Sequence, residues 1–201
     1  MAFVFLYYHC IMNLPFIDNK TYTNTDFTSA PLQKAEYDSC RFLNCNFENS
    51  DISNITFIEC DFVDCNLSNT NITHSTFKDV TFKGSKLMGV KFHTCNDFLL
   101  AFQFNNCLLN YSSFFGLNIN NTVFEGCQLE GVDFTDVIAL KCNFKNSDLR
   151  QAIFDNTNLE QADFTTALNF QINPANNHLK KAKFLKENLS GLLSAYDIII
   201  N

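Results

Sequence analysis

Cysteine and histidine are the residues with the most chemistry to offer in this chain, which carries 9 Cys and 4 His in 201 residues. A disulfide framework or a tetrahedral metal site would draw on them. Their positions argue against both. Cys40, Cys45, Cys60, Cys65, Cys95, Cys107, Cys127 and Cys142 fall in one recurring slot that Ser, Thr, Ala and Val fill elsewhere. A slot shared with those residues calls for a small buried side chain, the usual role of reduced cysteine, and fits a reducing, cytoplasmic setting. His9, His74, His93 and His178 stand far apart, and none has a partner at metal-ligand spacing. The chain shows no glycine-rich phosphate loop, nucleophile elbow or HExxH motif. Asp51, Asp61, Asp133, Asp148 and Asp163 each precede an apolar residue and read as turn residues whose carboxylates bond nearby backbone. The expectation is therefore a protein that is no enzyme, with no catalytic residue, cofactor or metal.

The slot is set by a beat of five. Apolar centres recur at Tyr22, Phe27, Leu32, Tyr37, Phe42, Phe47, Ile52, Phe57, Phe62, Leu67, Ile72, Phe77, Phe82, Leu87 and Phe92, with a small residue two before most of them. Five matches neither the 3.6 of a helix nor the 2 of a strand. Around residues 93–103 the phase slips by two, and a second run follows from Phe104 to Phe164. Small or β-branched residues stand two before nearly every centre of this run, and the first of those slots, Phe102, is the exception beside the slip. An insertion this short makes a bulge or tight loop and no second domain.

The number of units per coil follows from which centres match in type. At a lag of 20 residues, 18 of 20 pairs are aromatic with aromatic or aliphatic with aliphatic; at a lag of 15, only 8 of 22 are. Four units per coil, a four-sided tube, is the expectation. Each coil must then satisfy its backbone by pairing with the coils above and below. In the second run Phe alternates with aliphatic residues, so opposite faces should carry the same type.

Three segments result. Residues 1–21 are an N-terminal extension or cap, residues 22–167 the repeat, and residues 168–201 a C-terminal cap. The apolar start, MAFVFLYYHCI, lacks the basic residues and cleavage site of a signal peptide and is too short to span a bilayer. It is either an extension upstream of a start at Met12 or a strand closing the open core. In the tail, Leu189, Leu192, Leu193 and Tyr196 fall at helical spacing. An open coil end needs such a cap, and these four are also candidate contacts with a second copy.

Charge narrows the partners. The net of -7 disfavours nucleic acid, whose binding rests on basic side chains. Residues 22–167 carry 18 Asp/Glu against 9 Lys/Arg, so the acidity belongs to the repeat. With four faces, Glu36, Asp38, Glu59 and Asp79 fall on one face of successive coils and form the candidate partner-binding stripe, although Lys78, Lys83, Lys86 and Lys91 ring the next coil.

The units CDFVD, CNFKN, ADFTT and SDLRQ resemble those of the pentapeptide-repeat family. That resemblance implies an all-β fold, a right-handed quadrilateral β-helix with a short C-terminal helical cap. The mid-rod slip followed by a cap is similar more narrowly to the Qnr, MfpA and microcin-immunity group. For that group the family implies dimeric rods that mimic DNA in shape and charge and bind DNA gyrase or topoisomerase IV, with protection from quinolones or another gyrase poison. The larger Qnr proteins project longer loops, whereas this chain shows only the two-residue slip. Two expectations follow: a DNA-mimicking topoisomerase-binding homodimer, touching neither nucleic acid nor membrane, or a β-helical scaffold with some other protein partner.

Overall fold

Each five-residue unit must bend the chain at its end, because only then can a run of short extended pieces return over itself. The computed structural model describes residues 14–196 and 198–199 and shows that return. Strands β1 (Phe16–Asp18), β3 (Glu36–Asp38), β5 (Thr56–Ile58) and β7 (Thr76–Lys78) stack in that order as one parallel sheet, face 1. Strands β2 (Thr21–Thr23), β4 (Arg41–Leu43), β6 (Asp61–Val63), β8 (Val80–Lys83), β9 (Phe102–Asn105) and β10 (Val123–Glu125) stack as face 2. Two further faces are held by single bridges. Asp26, Asn46, Asn66, Lys86, Leu108 and Gln128 follow one another up face 3, and Asp51 to Asn71 and Lys91 to Ser113 to Asp133 run up face 4. Phe42 lies opposite Phe62 and Phe62 opposite Phe82, so the coil is the four-unit turn expected from the lag of twenty. The fold is a four-sided parallel β-helix.

The interior is a set of ring columns. On face 2, Phe104, Phe124, Phe144, Phe164 and Phe184 stack with centroids 4.7–5.2 Å apart and planes within 13°. On face 4 opposite, Phe92, Phe114, Phe134 and Phe154 do the same at 4.5–5.4 Å. The two columns meet edge to face, as in Phe114 against Phe124 at 86°. Offset stacking within a column and T-shaped contact across it are the two arrangements the aromatic quadrupole favours.

Corners come in two kinds, and this divides the cysteines and aspartates. At one kind a β-turn closes with an N–H to carbonyl bond, as from Ser50 to Phe47 and from Thr70 to Leu67. Its third residue has φ near +54°, as at Asn49 and Asn69, a position asparagine tolerates. Here the carboxylates of Asp51, Asp133, Asp148 and Asp163 accept from the backbone N–H two residues on, at 2.9–3.0 Å. Four of the five predicted turn aspartates therefore act as such. Asp61 does not: it lies in β6, ahead of the other kind of corner, and pairs with Arg41 and Lys83.

That second corner follows a strand with a left-handed residue, as at Asp64 with φ 54°, and leaves a carbonyl inward. The Sγ–H of Cys65 lies between the carbonyls of Val63 and, one coil below, Phe42, at 3.4 and 3.3 Å. Cys40, Cys45, Cys60, Cys107 and Cys127 repeat this arrangement, and Ser85 makes it with a hydroxyl. Cysteine is thus a packing residue and also a weak donor.

The slip has a simple geometry. Asp97 takes the place of a face 1 centre and turns outward, and Leu100 and Ala101 are the two extra residues. The missing centre is replaced by Phe102, fully buried and within 5.2–5.6 Å of the rings of Phe77, Phe92 and Phe104. Its size is therefore a consequence of the slip. The face 2 column crosses the slip unbroken, Phe82 stacking on Phe104 at 5.3 Å.

Both ends run further than the beat shows. Ile17 of β1 lies opposite Tyr37, so the ladder already exists upstream of Tyr22. The reading of residues 1–11 lies outside the described residues. Beyond Ala167, bridges join Asn158 to His178 and Asp163 to Lys183, and Phe170 wedges against Phe164 and Phe184. The cap consists of two 3-10 turns, Lys186–Leu192 and Ser194–Tyr196. Leu192 packs against the core, while Leu189, Leu193 and Tyr196 are exposed.

Candidate functional site

Side chains on either side of each inward centre point to solvent, so the outer surface is four flat ladders of polar residues. On face 1 the ladder is acidic from its start. Glu36 and Asp38 flank Tyr37 in β3, and Asp18 lies opposite Asp38. Glu59 and Asp79 follow β5 and β7 at corner positions with φ of 51° and 54°, one above the other. The structure therefore brings Glu36, Asp38, Glu59 and Asp79 onto one face. It adds Asp18 below them and the outward Asp97 above, next to the Thr76–Asn96 bridge. Asp18 was discoverable in the sequence, because Ile17 stands one beat before Tyr22. Asp97 was not, because its apolar-centre position hid that it turns out.

Ion pairs occur on the other faces, at five of their carboxylates. On face 2, Asp61 lies 3.7 Å from Arg41 and 3.9 Å from Lys83, Glu125 lies 3.1 Å from Lys145, and Asp163 lies 3.5 Å from Lys183. On faces 3 and 4, Asp148 pairs with Arg150 and Asp51 with Lys34. Among the described residues none of the six face 1 carboxylates takes part in an ion pair. Lys78, at the end of β7, is the one cation within that acidic stretch. Partly exposed pairs add little stability, but they cancel field locally; none does so on the first half of face 1, while Glu48, Asp64, Glu130, Asp133 and Asp155 are likewise unpaired but spread over the other faces.

The groups with potential for chemistry are otherwise tied up. His93, Ser113 and Asp133, distant in sequence, meet on face 4: Ser113 Oγ lies 3.1 Å from His93 Nδ1 and 3.3 Å from Asp133 Oδ2, and accepts from the Phe115 N–H. The hydroxyl sits between histidine and carboxylate, donating to Asp133 and accepting from the Phe115 N–H. A nucleophile needs the histidine in the middle, accepting that proton. His74 is exposed at a left-handed corner. Burial pushes the thiols of Cys60, Cys65, Cys95 and Cys142 up to about 12, away from the reactive thiolate. Among the described residues no three His, Cys, Asp or Glu side chains gather as a metal site. No helix among them is long and apolar enough to cross a membrane.

Two family models match the chain, a pentapeptide repeat region over residues 56–134 and an eight-copy pentapeptide repeat over residues 142–171. The chain is a pentapeptide-repeat protein. Its β-helix is similar to that of a trypsin-treated variant of QnrB1, a plasmid-mediated fluoroquinolone resistance protein: TM-score 0.74 at 15% identity, covering 92% of this chain and 91% of that one. A second trypsin-treated QnrB1 variant gives a TM-score of 0.61 at 14% identity, covering 92% of this chain and 100% of the other. At such identities the likeness is one of fold. No curated protein matches the chain.

Proposed function

We propose that this pentapeptide-repeat protein is a DNA-mimicking rod that docks the first half of face 1 on the DNA-binding surface of gyrase or topoisomerase IV. The observation that carries the reading is the row of unpaired carboxylates Asp18, Glu36, Asp38, Glu59, Asp79 and Asp97 on a straight, stiff ladder. A basic groove shaped for a duplex accepts a rod of regularly spaced negative charge, and complementary fields speed the encounter. The shared fold with QnrB1, a fluoroquinolone resistance protein, supports the same reading. The protein acts without catalysis, by occupying the groove in the cytoplasm where the enzyme resides. The exposed Leu189, Leu193 and Tyr196 join two copies end to end, with Leu192 holding the cap to the core.

Supercoiling by the cognate gyrase tests this: the protein should inhibit it or relieve its block by a quinolone. No effect on gyrase or on topoisomerase IV overturns the reading. A second reading, a scaffold for another protein, is favoured by Lys78 within the stripe and by the spread of acids over all faces beyond the slip. It calls for a partner captured in binding experiments that is no topoisomerase and whose affinity barely changes with salt.

A further inference from the structure

The charge on face 1 reverses along the rod. Below the slip it carries Asp18, Glu36, Asp38, Glu59, Asp79 and Asp97 against Lys78. Above it, the bridged column Asn118, Ile138, Asn158 and His178 is flanked by Lys141, Lys180 and Lys181 against Glu160. Between the two halves lie exposed apolar side chains, Phe98 at 69%, Leu99 at 57% and, two coils on, Ile138 at 42%. The order is therefore acidic, apolar, basic along one flat face. A face of that order complements itself when a second copy is laid on it antiparallel, because a two-fold axis carries the acidic half of each copy onto the basic half of the other.

From this order we infer that face 1 is a self-complementary surface on which a second copy of this chain docks antiparallel, side by side. With the axis between Phe98 and Asn118, Glu36 and Asp38 of one copy face Lys180 and Lys181 of the other. Asp79 faces the coil that bears Ile138 and Lys141, and Phe98 and Leu99 lie at the centre. Two contacts are unfavourable in this register: Glu160 meets Glu59, and Lys78 shares the level at which Asp79 faces Lys141. The contact differs from end-to-end joining through the cap, and it leaves faces 2, 3 and 4 free. It also goes beyond the topoisomerase reading, since the pairing hides the stripe on which that reading depends.

Sedimentation of the full chain tests the contact. At low ionic strength, where charges act over about 30 Å at 0.01 M, the side-by-side pair forms; it dissociates as screening shortens that range to about 3 Å at 1 M. The double variant Lys180→Glu, Lys181→Glu should lose the pair at low salt, as should Glu36→Lys, Asp38→Lys. Both pairs of substitutions in one chain should restore it, and a cysteine pair placed at residues 38 and 181 should cross-link between copies. All four positions are solvent-facing, and circular dichroism reports whether the β-helix is intact. A chain that is monomeric at low salt overturns the inference. So does an association that ignores both reversals and is abolished by Leu189→Asp with Tyr196→Asp, which is joining through the cap alone. The Lys180 and Lys181 variant keeps the acidic stripe, so failure of self-association and failure of gyrase inhibition are separately readable.

Discussion

The most informative single residues are the buried thiols. Six of them follow the second kind of corner and share two carbonyls through Sγ–H, which explains why Cys alternates with Ser and why no two join as a disulfide. The sequence reading reached the small buried slot and missed the donor role, because a small hydrophobe and a weak donor have the same spacing. Burial lifts Cys60, Cys65, Cys95 and Cys142 from 9.0 to about 12. A raised folded value means that the unfolded chain releases its protons first, so this stability is complete below about pH 9 and declines as pH rises toward 12. Each of these thiols should remove about 1.4 kcal/mol per pH unit across that window. Urea titrations at pH 8, 9 and 10 check this, and a midpoint that stays flat contradicts it. At the acid end, hydrogen bonds from Ser53 to Asp51 and from Thr28 to Asp26 hold both carboxyls below their ordinary value. Their contribution is present above about pH 4 and is lost as pH falls through the lowered value.

Register is decided by unit and corner, and there the prediction is about sidedness. Phe62 is wholly buried in the face 2 column between Phe42 and Phe82, at 4.7 and 5.1 Å. Phe62→Asp should abolish the soluble β-helix, since an unpaired carboxylate in an apolar core is very costly. Glu59→Lys, on the outside at a left-handed corner, should keep it. The slip offers a second contrast between neighbours. Phe102→Ala empties the space that Phe102 fills in place of a face 1 centre and should cost about 3–5 kcal/mol. Phe98→Ser, four residues away and exposed, should change stability by less than about 0.5 kcal/mol. Chemical denaturation of the two variants decides; equal effects would refute the account of the slip. The slip itself was legible as a break in phase, and the bulk of Phe102 marked it. What the phase could not show is which residue leaves the core, because Asp97, Phe98 and Leu99 all lie near the centre position.

At the scale of the whole rod, the period of five dictated architecture because every coil reuses one pocket, and stacked like residues revealed four sides. The ends were less legible. Asn169 and Pro174 break the beat, yet Leu179 and Phe184, twenty residues after Leu159 and Phe164, return to the columns, Phe184 stacking on Phe164 at 5.2 Å. The acidic face was half legible: the spacing of twenty placed Glu36, Asp38, Glu59 and Asp79 together, but the pairing of the other faces' carboxylates depends on side-chain reach between coils. What singles out face 1 is that its unpaired carboxylates recur on successive coils of one face.

The central claim, that this face stands in for a duplex, is tested most directly by competition. Labelled duplex DNA bound to the cognate gyrase should be displaced by the protein, with displacement weakening as salt rises. The variant Glu36→Lys, Asp38→Lys, Glu59→Lys should lose it by at least about tenfold, whereas reversal of the paired Glu125 and Asp163 on face 2 should leave it nearly unchanged. Displacement that is equal for the two sets of variants, or no displacement by the unaltered protein, would contradict the account.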